Sequence, residues 1–269
     1  MGLSYCHERR GFVTDKWGRR LSAGRYPTAA ASTRRPCLRA CYLFPMCGRF
    51  VQLPLFDRSQ APWPELADDL SGVTAKYNLA PTQRAAVVLG GGDKLELRKL
   101  RWGLIPPWAK DLKGGFTTIN ARVETVAIKP AFRAAWKAPR RCLVPMAGYY
   151  EWRDENGGKQ PYYIARADGA MLYAAGLWEP RHRLQEDDSD GSVTVITHDA
   201  VELAGTVHDR MPVFLDPSFG REWMAASSED AMGMLLAAPM PALRVVRVSR
   251  EVNSSRNPGG PESIEAVEF

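Results

Sequence analysis

A chain of 269 residues, 45% hydrophobic and 25% charged, is long enough to bury one sizeable core or two small ones, and is neither disordered nor fibrous as a whole. No stretch reaches the roughly 18 consecutive apolar residues of a membrane span, and Met1–Gly2 leads into polar and charged residues instead of a signal-peptide apolar block. The net charge of +6 is concentrated at one end: residues 1–45 hold nine Lys and Arg against Glu8 and Asp15, and the remainder carries −1, so the basic character cannot by itself be read as a nucleic-acid footprint of the folded part.

The first 45 residues, rich in Arg, Ser, Ala and Gly, show neither a helical period nor strand alternation and read as a disordered basic leader. Three origins stay open for it: a transit peptide, a start codon assigned upstream of Met46, or a removable pro-segment. From Met46 onward short strands alternate with turns. The predicted strands are Cys47–Gln52, Arg84–Leu89, Leu95–Trp102, Phe116–Asn120, Cys142–Trp152, Pro161–Arg166, Met171–Trp178, Ser192–Thr197 and Leu243–Ser249. Predicted helices are fewer: Trp63–Leu70, Pro130–Ala138, Asp199–Gly205 with Asp199 as its N-cap, Pro217–Ala225 and Ser228–Ala237. Hairpin turns outnumber strand–helix alternation. The fold class expected is therefore α+β, a mainly antiparallel, barrel-like sheet with peripheral helices, in one domain over 46–269.

Five cysteines (Cys6, Cys37, Cys41, Cys47, Cys142) make no C-x-x-C pair, and no two of the four histidines sit at i,i+4, which argues against a disulfide framework and against zinc chemistry of the H-E-x-x-H kind. No glycine-rich phosphate loop is present. Reactive and aromatic residues gather instead in six segments: Met46-Cys47-Gly48-Arg49-Phe50, Tyr77-Asn78-Leu79-Ala80-Pro81-Thr82, Arg101-Trp102-Gly103-Leu104-Ile105-Pro106-Pro107-Trp108, Ile119-Asn120-Ala121-Arg122-Val123-Glu124-Thr125, Gly148-Tyr149-Tyr150-Glu151-Trp152 and Val207-His208-Asp209-Arg210-Met211-Pro212.

In this order the six resemble the SRAP family, the SOS-response-associated peptidase-like, abasic-site processing proteins. The resemblance implies that Cys47, once it is the first residue, links covalently to the aldehyde of an abasic site in single-stranded DNA. It also implies that Glu151, Asn120 and His208 assist the chemistry, that Arg49, Arg122 and Arg210 grip phosphates, and that Pro81, Trp102 and Trp108 stack on or separate bases. The implied partner is single-stranded DNA containing abasic sites, met by a cytoplasmic monomer that is nucleoid-associated when bound to DNA. No cofactor, metal or membrane is implied.

The residue chemistry is compatible with that role. An α-amine has a pKa of roughly 7.7–8.0 against about 10.4 for a lysine, so near neutral pH it alone is appreciably unprotonated. Its imine with the sugar aldehyde can be closed by the thiol into a five-membered thiazolidine. Partial burial between Tyr150 and Trp152 would raise the Glu151 pKa and suit it to general acid/base work. His208 is a second proton carrier, and His198 reads as structural. Asn120 offers a neutral donor and acceptor. As written, however, Cys47 follows 46 residues and has no α-amine. Two further functions stay open: a thiol autopeptidase that removes its own leader through Cys47, Glu151 and His208, and a noncatalytic module for single-stranded DNA. Trp102 is equally a core residue, and the run Arg133, Lys137, Arg140, Arg141 is equally an exposed helix face.

Overall fold

A computed structural model describes residues 47–91, 94–112, 117–155 and 157–267, so the expected leader 1–45 lies outside the described residues. In chain order its strands are β1 (Arg49–Gln52), β2 (Lys76–Leu79), β3 (Arg84–Gly91), β4 (Lys94–Trp102), β5 (Asn120–Arg122), β6 (Arg141–Met146), β7 (Gly148–Glu155), β8 (Gly158–Arg166), β9 (Leu172–Pro180), β10 (Gly191–Asp199), β11 (Arg210–Pro212) and β12 (Leu243–Arg247). The helices are α1 (Ala67–Ser71), α2 (Arg133–Lys137), α3 (Glu202–Gly205), α4 (Pro217–Ala225) and α5 (Asp230–Ala237).

Two sheets form, as the α+β expectation required. The first runs β12-β8-β7-β1-β2, all antiparallel. The second runs β11-β10-β4-β3-β6-β9, and a further pairing of β9 with β10 nearly closes it into a ring. Two pairings depart from the antiparallel pattern, since β4 and β5 both lie parallel to β10. Inside the ring pack Trp102, Leu100, Val144, Val195 and Phe214, together with Cys47, Phe50 and Tyr149 from the first sheet. Ring closure removes exposed edges and encloses a core, and here it also receives the inner face of the neighbouring sheet.

Several boundaries differ from the sequence reading, each for a local reason. The run Cys142–Trp152 is two strands in different sheets, divided at Ala147, whose N–H turns to the Val51 carbonyl at 2.8 Å. Gly148 opens β7 because a Cβ there would lie 2.5 Å from the Tyr163 ring. Asn120 begins a strand instead of ending one; Thr117 and Thr118 before it form a tight turn, and Phe116 lies outside the described residues. Asp199 ends β10 and caps no helix: α3 starts at Glu202, with Val201 before it and no side-chain cap. By contrast Asp216 does cap a helix, α4, accepting from the Ser218 and Phe219 N–H groups. The short strands β2 and β11, unpredicted, are edge strands of three or four residues, too brief to show a period.

Gln52 joins the sheets. Its amide donates to the carbonyls of Ala86 in β3 and Pro145 in β6, at 2.9 and 2.8 Å, and accepts from the Ala86 N–H at 2.7 Å. Gln52 is 3% exposed, so water cannot replace these bonds. Gln52→Leu should lower unfolding free energy by about 2–4 kcal/mol, because buried backbone groups lose their partners; urea denaturation checks this, and a loss below about 0.5 kcal/mol would refute the inter-sheet role.

Candidate active site

The backbone register of the first sheet builds the site. β1 pairs with β7 so that Arg49 faces Tyr150 and Phe50 faces Tyr149, which brings the chain just ahead of β1 alongside Glu151. There the Cys47 N–H donates to Glu151 Oε1 at 2.7 Å. Alternation along β7 then sorts the Gly-Tyr-Tyr-Glu-Trp motif. Tyr149 shares the ring interior with Cys47, whereas Tyr150 and Trp152 pack on the opposite face with Val51 and Val248.

Burial dominates the electrostatics. Glu151 is 2% exposed, and desolvation pushes its carboxyl up to about 8; the Cys47 N–H pulls it down and the nearby Asp209 raises it further. Burial, and then the Glu151 carboxyl, hold the Cys47 thiol well above its ordinary value, so the sulfur is a neutral thiol at neutral pH. Cys47 itself adopts φ 43°, a left-handed conformation that a non-glycine residue holds at a cost of about 1–3 kcal/mol.

His208 stands on the turn that leads into β11. Its Nδ1 accepts from the Arg210 N–H at 3.0 Å and lies 2.9 Å from an Asp209 carboxylate oxygen. Burial moves its pKa down, with Asp209 pulling the other way, so the neutral ring prevails at neutral pH. Asp209 also acts electrostatically on Glu151. Asn120 opens β5, half-buried, opposite Val195 of the parallel β10.

The expected DNA-contacting residues divide. Arg122 is exposed on β5, and Trp108 is 63% exposed beside a pocket also lined by Ile105, Pro106 and Lys110. Pro81 is half-exposed at a turn in which Thr82 has φ 72°. Trp102 corrects the expectation: it is 0% exposed, donates from Nε1 to the Ile119 carbonyl at 3.0 Å and meets Phe50 edge-on at 4.9 Å, so it has no face for a base. Its work is to brace Ile119, and with it Asn120.

Arg210 is also corrected. At 6% exposed it donates to both oxygens of Glu124 (2.6 and 3.0 Å), to Asp199 (2.6 Å) and to the Thr197 carbonyl (2.7 Å), which leaves little for a phosphate. Its hydrogen bonds hold the Glu124 carboxyl below the usual range. Arg49, half-buried, donates to the Val252 carbonyl at 2.9 Å and covers the Trp152 ring at 5.9 Å. His198, read as structural, is half-buried in β10 opposite Met211.

The sequence reading missed the carboxylate partners Glu124 and Asp199, and Asn78, whose amide holds the carbonyls of Val252, Ser254 and Asn257 at 2.8–3.3 Å. Glu124 and Asn78 do fall inside motifs. Their partners are too distant in sequence to be inferred from spacing. Among the described residues no cluster of three or more His, Cys, Asp or Glu side chains could hold a metal ion, and no helix is long and apolar enough to cross a membrane.

The family described as "SOS response associated peptidase (SRAP)" matches residues 46–255. Abasic site processing protein YoaM of Bacillus subtilis is 36% identical over 224 residues, which span 79% of this chain and 95% of that protein. Abasic site processing protein YedK of Escherichia coli is 31% identical over 234 residues, which span 82% of this chain and the whole of YedK. A crystal structure of a Bordetella bronchiseptica protein superposes with a TM-score of 0.62 at 26% identity, covering 76% of this chain and all of that one.

The raised Glu151 pKa has a consequence for stability. The folded protein binds the Glu151 proton more tightly than the unfolded chain does, so stability is lost as pH rises from about 4.5 through about 8. Glu151→Gln lacks this titration. It should gain on the wild type by a few kcal/mol between about pH 5 and about pH 9, as measured by denaturant unfolding at each pH; parallel stability profiles would show that Glu151 is not held as an acid.

Proposed function

The chain belongs to the SOS response associated peptidase family, and from that premise we propose that it captures abasic sites in single-stranded DNA as a covalent thiazolidine on Cys47. The names of its relatives support the substrate. The observation that carries the chemistry is the Glu151 carboxyl set 2.7 Å from the Cys47 nitrogen. When Cys47 is the first residue, that nitrogen is an α-amine, with an ordinary pKa of roughly 7.7–8.0, within hydrogen-bond reach of the carboxyl. A proton can therefore pass directly between the two. Burial favours the neutral pair, amine and carboxylic acid, over a buried ion pair.

As the free amine adds to the sugar aldehyde, the acid Glu151 gives its proton to the oxygen and takes the surplus one from nitrogen, which forms the carbinolamine. A proton passed again from Glu151 to the hydroxyl lets it depart as water, and the carboxylate takes the second proton from nitrogen as the imine forms. The Cys47 thiol, kept neutral by burial, then adds across the C=N bond: sulfur bonds to carbon and the proton goes to nitrogen. This order, amine first and thiol second, is the one a neutral thiol allows. In this reading His208 exchanges protons with the sugar through Nε2, and Asn120 positions the sugar hydroxyl or the ring nitrogen. Arg122 contacts phosphate, while Pro81 and Trp108 meet bases, with stacking worth about 1–3 kcal/mol per base. Arg49 and Arg210 support the site from within.

A second reading is favoured by the left-handed Cys47 and by the carboxyl on its nitrogen. In the full chain that nitrogen is an amide, and the thiol is one five-membered ring away from the carbonyl that precedes it. Attack by sulfur would expel the nitrogen with a proton from Glu151, which takes the thiol's proton in exchange, and leave a thioester, which water hydrolyses to a free carboxylate and the thiol. The chain would thereby release the amine that captures DNA.

With the chain initiated at Met46 and its methionine removed, abasic single-stranded DNA should yield a band that survives a denaturing gel. Cys47→Ala should abolish the band, and Glu151→Gln should slow its formation by about 10²-fold or more. An undiminished band from Cys47→Ala would reject the capture reading. For the second reading, intact mass of the expressed 1–269 chain should show loss of residues 1–46 in the wild type and not in Cys47→Ala; a full-length mass that never changes would reject it.

A further inference from the structure

Tyr149 is a buried titratable group packed with Cys47 that the chemistry above leaves unused. It is 0% exposed, and its hydroxyl has no hydrogen-bond partner among the described residues. It stands two residues before Glu151 on β7, hence on the same face and about 7 Å along the strand. It shares the ring interior with Cys47, and its ring leans on Phe214 at a centroid distance of 5.8 Å. Both the Cys47 thiol and the Glu151 carboxyl act on its phenol electrostatically, after burial itself, and all three keep it protonated.

A buried hydroxyl without a partner costs about 1–3 kcal/mol, and a phenylalanine would fill the same space without that cost. Core tyrosines normally satisfy the O–H, as Tyr150 does by donating to the Tyr77 carbonyl at 2.8 Å. An unsatisfied donor beside a reacting centre suits an acceptor that arrives with the substrate. Resting on the capture reading, we propose that Tyr149 is a further catalytic residue, whose O–H donates to the sugar oxygen carried from aldehyde to carbinolamine at the Cys47 nitrogen. The neutral phenol transfers no proton: it stabilises the oxygen while negative charge builds on it, and Glu151 remains the proton carrier.

The test uses the chain initiated at Met46, since every strand, helix and core cluster described lies within 47–267 and YedK is matched over its whole length. Three quantities are compared for the wild type and Tyr149→Phe: the single-turnover rate of covalent capture at saturating abasic DNA, affinity for undamaged single-stranded DNA, and melting temperature. The variant should lose on the order of tenfold or more in maximal rate, less than the 10²–10³ of a full oxyanion donor. Its DNA affinity should be unchanged and its melting temperature equal or higher. The rate ratio should hold constant from about pH 6 to about pH 9, because the phenol does not titrate there. A rate within about twofold of the wild type, or a lower melting temperature revealing a structural partner for the hydroxyl, would overturn the proposal. If the wild type itself gives no covalent band, the capture reading fails and this role with it; a normal wild-type band beside an undiminished variant rate rejects Tyr149 alone.

Discussion

The 2.7 Å contact between the Cys47 nitrogen and the Glu151 carboxyl joins residues 104 apart in sequence, and both sheets are disposed around it. A carboxyl this deeply buried is stable only as the acid, or with a donor fixed against its oxygen. The β1–β7 register supplies that donor, Gly148 lets β7 approach the Tyr163 ring, and Gln52 anchors β1 to the nearly closed second sheet. A shift of one residue in that register would turn Glu151 toward the opposite face and leave the nitrogen of Cys47 among apolar side chains. The site is thus a property of strand pairing more than of any loop.

Much of this arrangement was legible in the residues. The strands β3, β4, β8, β9 and β10 announce themselves by alternation and by glycine- and aspartate-marked turns, and the interposition of Glu151 between two aromatics pointed to a buried carboxyl. What spacing could not reveal is how guanidinium groups are used. An arginine beside a reactive residue reads as a phosphate ligand until the fold brings carboxylates to it, as Glu124 and Asp199 are brought to Arg210 across the β5–β10–β11 pairings. The same limit applies to Trp102. Flanked by loop-forming residues it resembles an exposed platform, yet its side chain packs in the interior of the ring and its indole braces Ile119. The N-cap expected at Asp199 failed for a related reason, since extension of β10 to that residue and its ion pair with Arg210 outweigh a cap on a four-residue helix.

The proposed chemistry has an economy that follows from connectivity. Sulfur, Cβ, Cα and nitrogen of Cys47 form four members of a five-membered ring whose fifth is a carbon electrophile. In the full chain that carbon is the preceding carbonyl; in the shortened chain it is the sugar aldehyde. One buried acid on the nitrogen serves both, because in each case nitrogen must gain or lose a proton as a bond to carbon breaks or forms. A neutral thiol and a near-neutral pKa for the acid are what a burial-dominated pocket supplies without any metal-bound nucleophile in the scheme.

The most direct measurement is the site of attachment. Covalent complex formed with abasic single-stranded DNA would be digested with protease and nuclease, and the modified peptide sequenced by mass spectrometry with alkylation of free thiols. The sugar remnant should lie on a peptide that begins at Cys47, with the Cys47 sulfur resistant to alkylation because it is closed into the ring. A remnant on a lysine, or on a Cys47 still preceded by Met46, would contradict the account.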